Sequence, residues 1–513
     1  MKNLWKKLLG LTLAVALLLS CAGAAFAWEP QWEHDEDLSA YKLCENPGDI
    51  TLRVAVTDHA TISSWEDNAF IHWLEDVTNV KFEFELLPYE SRAEKLGLLL
   101  NSGDYPDIFL ACGMTSAMVS RFGMDEGLFL PLNDLIEEHG NFVNRIFETY
   151  PGSKGLISQL DGKIYSMPGV NECYHCTIPT KFWINQTWLD NLGLKAPATL
   201  DELYDVLVAF RDQDANGNGD PSDEIPLAGD YADGWYTNPE MFVMNAFTYY
   251  NLDLDKTSTS SAEAFGMYLN DGTVVTPFAL DEFKQGVEYM AKLVKEGLIY
   301  EGSFTQDLTG LTAICESGRL GASSGGYILF ANLGSDIYKQ YRAVTPVTGP
   351  NGNASIVTFP HDSVGGHAFV ISADTKHPVE AFMIGDLLYS YAATMRSSFR
   401  DAKFRLGEPS DPNVDLYSAA GLETLLYQVT HEYEPYIDAA KSIPPLKFTD
   451  AENSEMSVIK TNLSNTIKEG MFAFFTGTKT VEADYDAWLA DLEAQGLSTL
   501  VNFYQTAYDA QYK

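Results

Sequence analysis

The sequence predicts an α/β fold assembled around more than one hydrophobic core, and three observations carry that expectation. The chain has 513 residues with 46% hydrophobic and 12% aromatic content, more than one core absorbs, since single cores stop growing near about 250–300 residues. Between residues 50 and 111, segments of period-two hydrophobicity alternate with segments at helical spacing. After residue 168 the alternation starts again.

Taken in order, the chain begins with an export signal. Lys2, Lys6 and Lys7 form a basic start, Leu8 to Leu19 an apolar stretch, and Ala25-Phe26-Ala27 an A-x-A cleavage site before Trp28. Cleavage after Ala27 is the favoured reading of residues 1–27. Leu18-Leu19-Ser20-Cys21 also resembles a lipobox that would lipidate Cys21, and the apolar stretch is long enough to stay as an uncleaved anchor. All three readings put the protein outside the cytoplasm, at the cell surface or beyond it.

Next, Ile50, Leu52, Val54 and Val56 share one face of a strand, as do Val80, Phe82, Phe84 and Leu86 of a second. Between them Phe70, Ile71, Leu74 and Val77 recur at helical spacing, and a helix over 91–100 leads into a short strand over 107–111. Strand, helix, strand, helix, strand predicts a parallel sheet with right-handed crossovers. Ligands of such sheets sit at the carboxyl ends of the strands. Beyond residue 168, Thr187 to Gly193 reads as a short helix starting at Thr187 and stopped at Gly193. Thr199 and Glu202 form a capping box ahead of the face Leu200, Leu203, Val206, Leu207 and Phe210. Phe283, Val287, Met290 and Val294 mark a further helix, stopped at Gly297. No tandem repeat or low-complexity tract interrupts the pattern.

The 33 basic and 72 acidic residues give a net charge of −39. Loss of the three lysines of residues 1–27, which hold no acidic residue, brings it to −42. Such a surface repels phosphate backbones, which makes nucleic acid and anionic membrane surfaces poor partners. Six cysteines are too few for a disulfide-stapled scaffold, and five remain after processing, so at least one stays unpaired within the chain.

Seven blocks occur in order: SGDYPDIFL (102–110), LPLNDLIE (130–137), GKIYSMPG (162–169), WINQTWLDNLGLKAPATLDEL (183–203), YMAKLVKEGLIYEG (289–302), YRAVTPVTGPNG (341–352) and HAFVISADTKHPVEAFMIGDLLYS (367–390). The series resembles the family 1 extracellular solute-binding proteins of bacterial ABC importers, in particular the large oligosaccharide-binding branch that includes alginate-binding proteins. It covers nearly the whole mature chain. The resemblance implies a two-lobed periplasmic-binding-protein-like fold of type II, with a ligand cleft between lobes joined by a multi-strand hinge. Residues 28–168 plus about 362–430 would form the first lobe. Residues 169–361 plus about 431–513 would form the second, which carries a calcium loop. The implied partners are an oligosaccharide or other small solute and a membrane permease, with the protein itself a monomer.

The calcium expectation rests on DQDANGNGDPSDEIPL (212–227). Asp214, Asn216 and Asn218 alternate around a tight loop, Gly219 permits the turn, Asp220 offers a carbonyl, and Asp223 and Glu224 close the shell. Hard oxygen donors at this spacing suit structural Ca²⁺. A frame starting at Asp212 also fits the opening, and a solvated turn without metal is the plain alternative. The resembling family's loop ends in Asp-Glu-Ile-Pro, which favours the Asp214 frame, although one extra residue around Asp220-Pro221-Ser222 departs from it.

In ECYHC (172–176), Cys173 and Cys176 read as a local structural disulfide at a lobe crossover. Zinc would need a fourth ligand that nothing nearby supplies, and a redox C-x-x-C should open a helix. Sugar faces stack on aromatic rings while their hydroxyls take hydrogen bonds. Trp65 after the first strand, Thr115 and Ser116 after the third, Trp183 beyond the crossover, and Trp235-Tyr236 in a glycine-rich loop are therefore the expected ligand-binding residues. Trp73 and Trp188 fall on apolar helix faces and are assigned to the core.

No G-x-S-x-G elbow or H-E-x-x-H helix occurs, the nine histidines are scattered, and His361-Asp362-Ser363 is too contiguous to converge as a triad. No catalytic residue is predicted. The expected function is reversible capture of a carbohydrate for ABC-transporter uptake. A secreted carbohydrate-active hydrolase and a binding protein for another solute, such as a peptide, are the competing readings.

Overall fold

The sheet of the first lobe grows from β1 (Thr51–Asp58), which buries Leu52, Val54 and Val56 on one face and Ala55 on the other. Residues 36–58, 62, 64–150, 152–170, 174–231, 236–252, 254, 265–358, 364–396, 414–418 and 421–513 are described by a computed structural model. The export signal lies outside them. Helix α1 (Ala69–Thr78) is capped by Asn68 and turned off by Asn79 in a left-handed conformation. It delivers the chain to β2 (Lys81–Pro88), which pairs in parallel with β1 from Thr51–Lys81 to Asp58–Pro88. Helix α2 (Arg92–Leu100) returns it to β3 (Ile108–Met114) on the other side of β1, again parallel. The predicted parallel pairing of these three strands through intervening helices is therefore present.

After helix α3 (Phe142–Thr149), strand β4 (Ser166–Val170) closes the far edge. It is separated from β3 by a strand from much later in the chain, β11 (Val364–Ile371), antiparallel to both, in the order β2-β1-β3-β11-β4. The block around Asp107 now has a physical role. Asp107 accepts from the Arg53 amide at 2.9 Å and from the Thr375 hydroxyl at 2.7 Å, tying β1, β3 and the end of β11 together.

The second lobe is built on β5 (Lys181–Asn185), β6 (Ile225–Leu227), β9 (Leu320–Gly325) and β10 (Tyr341–Val344), ordered β10-β5-β9-β6 with only β6 and β9 parallel. A separate hairpin, β7 (Tyr268–Asn270) and β8 (Thr273–Val275), turns through Asp271-Gly272, both at positive φ as a tight primed turn requires. Helix α4 (Gln186–Leu192) is capped two residues earlier than expected, by Asn185 rather than Thr187, and stops at Gly193 with φ 66°. Helix α5 (Leu200–Asp212) carries the capping box of Thr199 and Glu202 and buries all five predicted apolar residues. Helix α6 (Asp281–Lys295) follows in the same core.

Helix α7 (Pro378–Leu387) packs on the first lobe, where Ala381, Phe382 and Ile384 join the sheet's core. Helix α8 (Leu422–Tyr433) corrects the expected division near residue 430. Its Leu425, Leu426, Val429 and Tyr433 pack with Trp183, Leu320 and Tyr341 of the second lobe. The last crossing therefore precedes this helix. The apolar face, rather than sequence proximity to the first lobe, decides where it sits. Helices α9 (Asp450–Phe475), α10 (Val481–Ala494) and α11 (Leu497–Tyr512) complete that lobe, with Trp488 lying so close over Gly470 that an added Cβ would meet its indole nitrogen at 2.1 Å. Among the described residues, no helix is long and apolar enough to cross a membrane.

Candidate functional site

The chain passes between the lobes at β4 to β5, at β10 to β11, and between the helix Tyr391–Arg396 and α8. These crossings are cross-tied. The Thr358 hydroxyl donates to the Thr177 carbonyl at 3.0 Å, and the Ser442 hydroxyl donates to the Thr358 carbonyl at 3.1 Å. The Lys447 ammonium donates to the Gly155 carbonyl of the first lobe, while its own backbone is held by Gln511 of α11. A double-lobed molecule with crossings of this kind binds at the carboxyl ends of its parallel strands.

On the first lobe that end is formed by β1 and β3. Ala111 and Gly113 take left-handed backbone conformations just before the exposed pair Thr115 and Ser116; such conformations in a non-glycine residue cluster at functional sites. The Thr115 hydroxyl accepts from the Met118 amide, and the Ser116 hydroxyl is 3.0 Å from Nε2 of His367. Trp65 is half-buried, with its ring 5.4 Å from that of Phe84. Its indole N–H is shielded and has no acceptor among the described residues.

Trp183 is corrected: it is a core residue. It is wholly buried in β5, and its indole nitrogen donates to the Gly325 carbonyl at 3.1 Å. A strand at the centre of a sheet covered on both faces leaves no room for an exposed indole. Trp188 is also buried, as expected, against Phe210. Trp73 is half-buried under the guanidinium of Arg396.

On the second lobe, the segment after β6 supplies the corresponding end. Trp235 lies outside the described residues. Tyr236 is half-buried at φ 60°. The same segment holds a polar group that the sequence reading passed over: Asp230, Thr237, Asn238 and Glu240 are all fully buried. Neither amide atom of Asn238 has a partner among the described residues. Buried amides of this kind need water or a ligand to satisfy them. A glycine-rich stretch drew the eye to its aromatics and gave no sign that its amides would be enclosed.

The predicted calcium loop connects α5 to β6. Asp214 accepts from the Gly219 amide at 3.0 Å, and Glu224 accepts from the Ala215 amide at 2.9 Å. The Asn216 and Asn218 amide groups both donate to Asp223 at 3.1 Å, and Asp220 is turned to Ser222. Gly217 and Gly219 supply the left-handed turns. One oxygen of Asp214 and one of Glu224 are buried without a hydrogen-bond partner among the described residues. Four carboxylates share the loop, and the cation alongside is Arg319, whose Nε bonds the Asp223 carbonyl at 2.9 Å. Among the described residues no three His, Cys, Asp or Glu side chains converge as a metal group, so a cage here would draw on the asparagine oxygens. The all-oxygen donor set and the two orphaned carboxylate oxygens fit calcium.

Cys176 is disulfide-bonded, and Cys173 lies outside the described residues. Beside it Lys181 is fully buried, donating to the carbonyls of His175 at 3.1 Å and Ile178 at 2.6 Å, and burial lowers its pKa to about 7.

Residues 60–395 match the family described as bacterial extracellular solute-binding protein. The chain belongs to this family. Among curated relatives, this solute-binding protein is 27% identical over 364 residues to the fructooligosaccharide ABC transporter substrate-binding protein FusA of Streptococcus pneumoniae, covering 69% of this chain and 63% of FusA. It is 25% identical over 288 residues to the polygalacturonan/rhamnogalacturonan-binding protein YtcQ of Bacillus subtilis, covering 55% and 52%. The matches thus span between half and two thirds of those relatives' own lengths. Among solved structures, FusA bound to kestose superposes with a TM-score of 0.73 at 22% identity, over 90% of this chain and 99% of that one. Alginate-binding AlgQ2, solved without calcium ion, gives 0.62 at 20% identity, over 92% and 100%. These likenesses establish the two-lobed α/β fold.

Proposed function

We propose that this protein captures an oligosaccharide between its lobes and presents it to an ABC permease, without chemical change to the sugar. The observation that carries the reading is membership of the solute-binding family over most of the chain. The relatives FusA and YtcQ, both named for oligo- or polysaccharide binding, support carbohydrate as the ligand class. Trp65, Thr115 and Ser116 would meet the sugar from the first lobe, and Trp235 and Tyr236 from the second. A ligand gripping both lobes favours the closed form by its differential affinity, which a permease can sense. The test titrates fructo-, galacturono- and milk oligosaccharides, following tryptophan fluorescence, radius of gyration and the sugar itself. Binding with compaction and intact sugar supports the proposal. Shorter products would replace it with a hydrolase, and binding of peptides alone would replace the ligand class.

Calcium is proposed as a structural ion held by Asp214, Asn216, Asn218, Asp220, Asp223 and Glu224. FusA is a protein for which an EF-hand mutant has been solved, which supports the assignment. An ion bound only by the folded loop stabilises by mass action. A chelator should lower the melting temperature of calcium-loaded protein, and Asp214→Ala should remove that response. A calcium-containing preparation that melts identically in chelator would defeat the site. We further propose export with cleavage after Ala27, read by intact mass of the protein secreted from its native host. A diacylglyceryl Cys21 would make it a lipoprotein instead. Cys173 is the proposed disulfide partner of Cys176.

A further inference from the structure

His367 is the central member of a three-residue chain that joins β4, β11 and the end of β3. Its Nδ1 is 2.6 Å from the Ser166 hydroxyl, and its Nε2 is 3.0 Å from the Ser116 hydroxyl, 251 residues away in sequence. Ser166 and His367 are buried, whereas Ser116 is exposed at the strand end where a ligand of this fold sits. Burial, with the Lys447 ammonium nearby, lowers the imidazole pKa to about 4, so the ring is neutral at pH 7 and carries a proton on one nitrogen.

Which nitrogen carries it follows from satisfying the buried hydroxyl. Among the described residues, Nδ1 of His367 is the partner of Ser166 Oγ. If Nδ1 held the proton, Ser166 would accept, and its own buried O–H would have nothing to donate to, at the cost of an unmet donor. If Ser166 donates to Nδ1, every group in the chain is satisfied, and the proton sits on Nε2. Nε2–H then donates to Ser116 Oγ, and the Ser116 O–H is left to point elsewhere. The exposed side is the solvent at the end of β3.

We propose that His367 is a positioning residue that fixes Ser116 as an outward hydrogen-bond donor, aimed at an acceptor oxygen of the ligand. This rests on the reading of the protein as a carbohydrate-binding one. In that case the partner is a sugar hydroxyl or ring oxygen acting as acceptor.

The test has two arms on the full chain. In the first, ¹⁵N-histidine NMR of sugar-free protein at pH 7, with His367 assigned by its loss in His367→Gln, should show an unprotonated Nδ1 and a protonated Nε2. Ser166→Ala should shift that ring towards the other tautomer. The reverse tautomer in the unmodified protein overturns the proposal, whatever the protein binds. In the second arm, an oligosaccharide shown to bind the unmodified protein is titrated into variants. Ser116→Ala should weaken it about five- to tenfold, the scale of one lost hydrogen bond, and Ser116→Thr should restore it. Unaltered affinity in Ser116→Ala overturns the contact even if the tautomer is as expected. Failure of the unmodified protein to bind any saccharide defeats the carbohydrate reading and the sugar contact together, while the first arm still decides the polarity of Ser116.

Discussion

Two buried side chains of β5, Trp183 and Lys181, illustrate how little a residue's type says about its role. Trp183 has the ring a sugar site wants, yet it is enclosed and bonded to the Gly325 carbonyl. Trp183→Ala should therefore cost about 3–5 kcal/mol of stability in denaturant titration, as emptying a large core site does. A loss below 1 kcal/mol on that rough scale would return Trp183 to the surface. Lys181 has the charge a surface wants, yet it is buried with two carbonyls. Its pKa falls from 10.5 to about 7 on folding. Between those values the unfolded chain binds more protons, so this group makes stability rise with pH across that window. Below the folded value both states are charged, and the full desolvation cost is present. Lys181→Met should flatten the rise, measured as unfolding free energy at pH 6, 8 and 10. An unchanged slope would mean that Lys181 is solvated.

At the level of elements, several helices are stabilised at their first turn by partners that local sequence supplies, whereas others draw on carboxylates far away in the chain, as the helix Tyr391–Arg396 does on Glu36. Thr199 with Glu202 and Thr449 with Glu452 are reciprocal capping boxes within three residues. Helix α3 instead takes its cap from Asp386 on α7. That carboxylate accepts from the amides of Phe142 at 3.1 Å and Val143 at 2.8 Å, and from the Tyr41 hydroxyl. A buried carboxylate at a helix start meets both the unpaired amides and the positive end of the helix dipole. Asp386→Ala leaves those donors unmet and should cost about 3 kcal/mol, with α3 losing amide-exchange protection before the β1–β3 core. Simultaneous loss of protection in both would show that α3 has no separate dependence on Asp386. The Thr199–Glu202 box was readable because both partners lie within four positions. The Asp386 cap was not, because more than 240 residues separate it from the amides it serves.

Across the whole molecule, the lobes are coupled through the crossings and through Lys447, anchored by its backbone to α11 and reaching Gly155 of the first lobe. Lys447→Met removes that tie while leaving every proposed ligand residue in place, although it also takes a positive charge away from His367. The sugar-free protein should then scatter with a larger radius of gyration. An identical radius would place the control of lobe separation in the crossings alone. Weaker apparent affinity should accompany the expansion, because a smaller closed population reduces binding in proportion.

The sequence by itself determined the alternation of strands and helices, the parallel β1, β2 and β3 with their crossovers, the faces of α5 and α6, and the donor pattern of the 212–227 loop. Each depends on side-chain periodicity or on partners within one turn, and these physical signals are local. Only the tertiary structure decided that β11 enters antiparallel between β3 and β4, that α8 joins the second lobe, and that Trp183 is enclosed. It also brought His367 to Ser116 and shut Asn238 away from solvent. Those outcomes depend on which apolar faces meet and which buried polar groups find partners across hundreds of residues. Composition and spacing carry no record of that pairing, because the energy that selects it arises only when the cores close.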